Sequence, residues 1–164
     1  MEKIERPNID TRLGRDYFSG NPEVVASFLL GRTVVRQFPN REILAKIKEV
    51  AAWQGEDDSS SETIKYDSGL IGISKKYGKN IIDIATGSAK KPSCISLIAL
   101  VTPKGIVQGP GNVSEYLEVN DMFNYAPIDH PCLWIGGEEI DGDKILRREK
   151  SNLPRNCKGY FYYR

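Results

Sequence analysis

Residues 42–58 read EILAKIKEVAAWQGEDD. Read as a strand, the first twelve put Ile43, Ala45, Ile47, Glu49, Ala51 and Trp53 on one face, because side chains alternate along a strand. A carboxylate on an apolar stripe, beside a tryptophan and ahead of an acidic loop, marks a candidate site. Just upstream, TVVRQF (33–38) leads into Pro39-Asn40-Arg41. Two strand-like runs around a short turn predict a hairpin, which places the stretch inside an antiparallel sheet.

Other elements follow outward from this hairpin. Asn21 can cap a helix, Pro22 suits its first turn and Gly31 suits its end. Val24, Val25, Phe28 and Leu29 would form its buried stripe. After an acidic, serine-rich loop over 54–68, GLIGIS (69–74), NIIDIATG (80–87) and CISLIALVTP (94–103) read as strands. Lys75-Lys76-Tyr77-Gly78-Lys79 reads as an exposed turn between the first two. Gly109-Pro110-Gly111 introduces a helix from about Asn112 to Val119. CLWIGG (132–137) and GYFYYR (159–164) are two C-terminal strand candidates, with loop over 121–131. Residues 1–16 are polar and predict a loose lead-in to one domain over 17–164. Helix, hairpin and consecutive strands describe an α+β fold with a mainly antiparallel sheet.

Composition bounds the function. The 164 residues suit one domain with a real core, and 40% hydrophobic with 27% charged content is ordinary for a globular chain. A net charge of +1 says nothing about a polyanionic partner. Its distribution says more: residues 113–141 hold seven acids and no Lys or Arg, whereas 144–164 hold seven basic residues and one acid. That asymmetry permits a basic patch without requiring one. Cys94, Cys132 and Cys157 are odd in number and far apart, so neither a disulfide framework nor a zinc site is indicated, and a reducing intracellular compartment fits. No apolar run predicts a signal peptide or a membrane span. No G-x-G-x-x-G, Walker or G-x-S-x-G sequence occurs. The one histidine, His130, sits in a Pro-flanked loop and is expected to be exposed.

In order and spacing, VASFLLGRTVVR, IKEVAAWQGEDD, KYGKNIIDIA, CISLIALVTP and QGPGNVSEYLEVN resemble the methylpurine-DNA glycosylases, also called alkyladenine or 3-methyladenine DNA glycosylases. The likeness runs over about residues 17–120, and GYFYYR is similar to the family's closing aromatic strand. It implies a curved sheet with flanking helices and a protruding hairpin. It implies excision of alkylated or deaminated purines from double-stranded DNA by a monomeric, monofunctional hydrolase without metal or organic cofactor, in the cytoplasm or nucleoid of a prokaryote-like cell. Such enzymes extrude the damaged base, stack aromatics on it and activate water with a carboxylate. Tyr77 matches the intercalating tyrosine, and Lys75, Lys76 and Lys79 would meet flanking phosphates. Trp53 falls at a base-stacking tyrosine.

Four pocket positions depart from the family pattern. Its catalytic carboxylate falls at Ala51, its base-contacting histidine near Glu62, its second stacking tyrosine near Ser74, and an arginine at Ile98. Glu49, two residues before Ala51, is the first candidate to replace the carboxylate; Asp57, Asp58 and Glu62 in the loop and Asp83 in NIIDIA are others. Two readings stay open: a glycosylase using another acid, or a DNA-binding homologue that no longer cuts. Ala51 itself fits either divergence or an engineered replacement.

Overall fold

The computed structural model describes residues 3–55, 62–88, 90–148 and 156–164. Among the described residues, two α-helices and nine strands form an α+β domain: α1 (Pro22–Leu29), β1 (Thr33–Gln37), β2 (Glu42–Gln54), β3 (Ile71–Lys76), β4 (Lys79–Ala85), β5 (Ser93–Thr102), β6 (Gly105–Gln108), α2 (Pro110–Leu117), β7 (Leu133–Gly136), β8 (Ile145–Arg148) and β9 (Cys157–Tyr163). The pairings between these strands are antiparallel.

Two long strands, β2 and β5, pair along the middle of the sheet. Each divides its outer edge between two partners. β2 pairs β1 through residues 42–46 and β9 through 49–53. β5 pairs β4 through 94–96 and β6 through 99–102. One end of the sheet therefore runs β7-β1-β2-β5-β6, and the other runs β8-β9-β2-β5-β4-β3. Such branching curls the sheet and separates a helix-covered face from an open one.

The helix-covered face is the main core. Val25, Ala26 and Leu29 of α1 and Val113 and Leu117 of α2 pack there with Ile47, Val50, Ala52, Ile71, Ile82, Ile84, Ile95, Leu97 and Leu100. Asn21 caps α1, its side chain accepting from the Glu23 amide at 2.8 Å. The α2 helix opens at Gly109-Pro110 and ends in a left-handed Glu118.

Several expectations are corrected, beginning with Val24, which is 64% exposed and outside the buried stripe of α1. The stripe from Ile43 to Trp53 does not stay on one face. Pairing of β2 with β5 passes from Ile47↔Leu100 to Glu49↔Ala99 and then Val50↔Leu97, skipping Lys48 and Ile98. This bulge turns the strand over: Ala45 and Ile47 join the core with Val50 and Ala52, while Ala51 faces the other way. The lead-in, as far as described, is docked: Ile4 and Leu13 are buried, and the Leu13 amide donates to the Ile135 carbonyl at 2.9 Å. The expected turn over 75–79 is shorter, since β3 continues to Lys76 and only Tyr77 and Gly78 turn the chain. His130 is half-buried, its Nδ1 accepting from the Cys132 amide at 3.0 Å and its ring meeting Phe123 edge-on. Short strands β6 and β8 carry weak periodicity and were not foreseen.

Candidate active site

On the open face, alternation puts Trp53 and Ala51 of β2 beside Cys94, Ser96 and Ile98 of β5, and beside Ile81 and Asp83 of β4 with Ser74 of β3. A cleft of about 440 Å³ opens there, lined by Trp53, Ile64, Ser74, Lys76, Asp83 and Ser96 among others. One wall is the turn at 62–65, which lies directly on the sheet because residue 72 is glycine. A Cβ on Gly72 would come within 1.7 Å of Thr63 Oγ1, so only glycine admits the turn.

A hydrogen-bonded chain runs along the floor. The Trp53 indole Nε1–H donates to Ser96 Oγ at 3.0 Å, and Ser96 donates to Asp83 Oδ1. The direction is fixed by chemistry: an indole nitrogen only donates, so the serine hydroxyl proton is left for the carboxylate. Asp83 is only 3% exposed yet lines the cleft. Cys94 lines it too, and its thiol is pushed well above its ordinary value, first by burial and then by the charge of Asp83. It stays a thiol at neutral pH, which makes it a poor nucleophile.

Ala51 and Ile98 sit beside the cleft in a small apolar cluster with Tyr160, against which Trp53 and Cys157 pack. Ala51 is fully buried, so the space expected beside it is filled. Burial raises the Tyr160 hydroxyl, with further contributions from Cys157 and Glu49, and Arg148 opposes it.

Glu49 does not face the cleft. It is buried, accepts a charge-assisted hydrogen bond from Arg148 and receives Gln108 Nε2 at 3.4 Å. The arrangement is that of a structural ion pair holding β8 and β6 to the middle of the sheet. Glu62 lies on the other side of the 62–65 turn, in a separate cleft with Lys65, Tyr66, Asp67, Leu70 and Tyr125. Asp57 and Asp58 lie outside the described residues.

The β3–β4 hairpin stands next to the cleft. Lys75 and Lys76 line it, and the next residue, Tyr77, is 94% exposed at the tip. Both turn residues have positive φ, 53° at Tyr77 and 77° at Gly78, the pattern of a two-residue type I′ turn. A tyrosine in that conformation is strained by roughly 1–2 kcal/mol relative to glycine. Lys75 reaches Asp121 at 3.8 Å, both well exposed. Lys79 turns away, bonding Asn112 Oδ1 at 2.7 Å and Glu115 Oε2 at 3.3 Å on α2. It fastens the hairpin to the helix rather than extending the lysine cluster.

The structure thus brings Trp53, Ser74, Lys75 and Lys76 to one cleft, puts Ala51 and Ile98 in an adjoining apolar cluster, and separates Glu49, Glu62 and Lys79 from it. Ser96 was not singled out from sequence. Its signal was available in the strand pattern, because a serine in CISLIAL interrupts an apolar run on the face of Cys94 and Ile98. Among the described residues, no group of three or more His, Cys, Asp or Glu could hold a metal ion.

No protein-family model matches the chain. Among curated proteins it is similar to one named "Putative 3-methyladenine DNA glycosylase" from Clostridioides difficile (strain 630). The two are 23% identical over 177 aligned positions, covering 85% of this chain and 87% of that protein. This distant likeness spans most of both chains and points the same way as the motif order in the sequence.

Proposed function

We propose that this protein binds duplex DNA carrying a damaged purine, extrudes the base into the Trp53 cleft and hydrolyses its N-glycosidic bond. One observation carries the reading: a cleft walled by a tryptophan adjoins a hairpin that presents a strained, exposed tyrosine behind two lysines. Trp53 offers a stacking face to the extruded base, held in place through its indole nitrogen. Tyr77 fills the gap left in the stack. Lys75 and Lys76 meet the flanking phosphates. Extrusion costs a few kcal/mol, and the intercalated ring offsets part of it. Strain at an exposed aromatic is uncommon away from functional positions, which supports the role given to Tyr77.

A second reading is favoured by a different observation. The position of the family's carboxylate is apolar, buried and packed against Ile98 and Tyr160. A homologue altered in this way recognises lesions without cutting them. Loss of the arginine along with the acid supports divergence over a single engineered replacement, since removing both leaves no unpaired buried charge.

The test is binding and base release by this chain beside its Ala51→Glu variant, on duplexes carrying one hypoxanthine or methylated guanines. Binding should weaken as salt rises, and Tyr77→Ala should weaken it further. Release by this chain supports the enzyme, binding without release supports the recognition module, and no binding at moderate salt removes both.

A further inference from the structure

With position 51 apolar, hydrolysis in this cleft needs a carboxylate from elsewhere, and among the described residues Asp83 is the acid that lines it. We propose that Asp83 supplies it, taking the proton from the water that attacks C1′ of a nucleotide whose N-alkylated, positively charged purine lies against Trp53. This inference rests on the glycosylase reading above.

The register of three strands locates the group. Ala51 is opposite Ser96, and Ser96 is opposite Asp83. Two interstrand steps are about 10 Å, so the carboxylate has moved across the cleft while staying on its floor. Gly72 is opposite Asp83 and carries no side chain, and Ser74 lies diagonally across the hairpin, where the resembled family has a bulky tyrosine. Thr63 fills the space over Gly72, while the small Ser74 leaves the cleft open on the Asp83 side. The chain Trp53–Ser96–Asp83 ties the carboxylate to the stacking platform, so a base placed by Trp53 is placed relative to Asp83 as well. An indole face and a carboxylate on one cleft both favour a cationic base over a neutral one.

The step balances without a co-reactant. The water oxygen forms a bond to C1′ as the C1′–N bond breaks. That bond's electron pair stays on the purine, which leaves neutral because it entered as a cation. The water proton passes to Asp83 and from there to solvent. As positive charge grows on the sugar, the carboxylate also stabilises it.

The experiment is single-turnover release of 7-methylguanine from methylated duplex DNA by this chain and by Asp83→Asn, with affinity for the same duplex and Tm measured in parallel. Asp83→Asn keeps an acceptor for Ser96 but cannot take a proton. It should slow release at least about 100-fold while affinity stays within about threefold, as expected for loss of a general base. If Asp83→Asn proves unstable, Asp83→Glu is read instead. It keeps the charge but displaces the carboxylate, and should bind normally and release slowly. Undiminished release in either variant overturns the proposal, as does a loss that only follows affinity or Tm. Binding by the parent chain without any release also overturns it and leaves the recognition module standing. No binding by the parent removes the glycosylase reading itself.

Discussion

Asp83 stands two strands across from Ala51, with Ser96 in register between them. The sheet thus carries a carboxylate on one side of its open face and an apolar cluster on the other, joined by a serine that also holds Trp53. Ala51 and Ile98 are both apolar, so their side of the face holds no unpaired charge, and the buried Asp83 has a donor in Ser96.

Ala51 and Ile98 should therefore behave as a pair. Ala51→Glu alone inserts a carboxylate among Ile98, Tyr160 and Trp53 and is expected to cost about 2–4 kcal/mol. Adding Ile98→Arg should recover roughly 0.5–3 kcal/mol through coupling. A urea-unfolding double-mutant cycle measures this, and strict additivity would count against paired replacement.

Ser96→Ala removes an acceptor from the Trp53 indole and a donor from Asp83 at one stroke. A loss of about 1–3 kcal/mol is expected from the groups left unsatisfied. The emission of Trp53 should shift as its ring is released, while fully buried Trp134 reports little change. An unaltered spectrum would mean that Ser96 does not hold the ring.

The Glu49–Arg148 pair should be asymmetric. Arg148→Met strands a carboxylate of 5% exposure beside Gln108, for an expected cost of about 2–3 kcal/mol. Glu49→Gln leaves a cation whose side chain is 41% exposed and can hydrate, so its cost should be smaller, about 1 kcal/mol. Equal losses in denaturant melts would contradict a buried acid as the sensitive partner.

Tyr77→Gly separates stability from binding. Glycine relieves the positive φ and should raise stability by about 1 kcal/mol, while removing the exposed ring. Affinity for lesion-bearing duplex should fall. A variant that melts higher and binds as well as its parent would show that the ring has no part in DNA contact.

Alkaline pH should reveal the buried thiol. Burial and Asp83 raise Cys94 above its unfolded value, so in that window the native state holds a proton that the unfolded chain has lost. Its contribution is complete below the unfolded pKa, about pH 8.5, and fades as pH rises from there toward the folded value. Cys94→Ala should flatten this part of the stability curve; an unchanged slope would assign the decline to other groups such as Tyr160, which is raised as well.

Much of the architecture was legible in one dimension. The α1 boundaries follow from Asn21, Pro22 and Gly31, and the β1–β2 hairpin from two apolar runs around Pro39-Asn40-Arg41. These are local signals, set by propensity, capping and turn chemistry within a few residues. The cleft was legible in part: Trp53, Ser74, Lys75 and Lys76 do come together. Glu49 misled because sharing a side with Ala51 is not the same as facing the cleft: Arg148 of β8 and Gln108 of β6 engage its carboxylate.

The sequence by itself determined the α+β class, the two helices and the long central strands, because hydrophobic period and helix or turn punctuation act over short range. Only the tertiary structure decided which acid faces the cleft. A bulge turns over the side chains beyond it, and distant strands supply the partners that place each buried carboxylate, Arg148 for Glu49 and Ser96 for Asp83. Both depend on contacts between residues far apart in the chain, which no local pattern records.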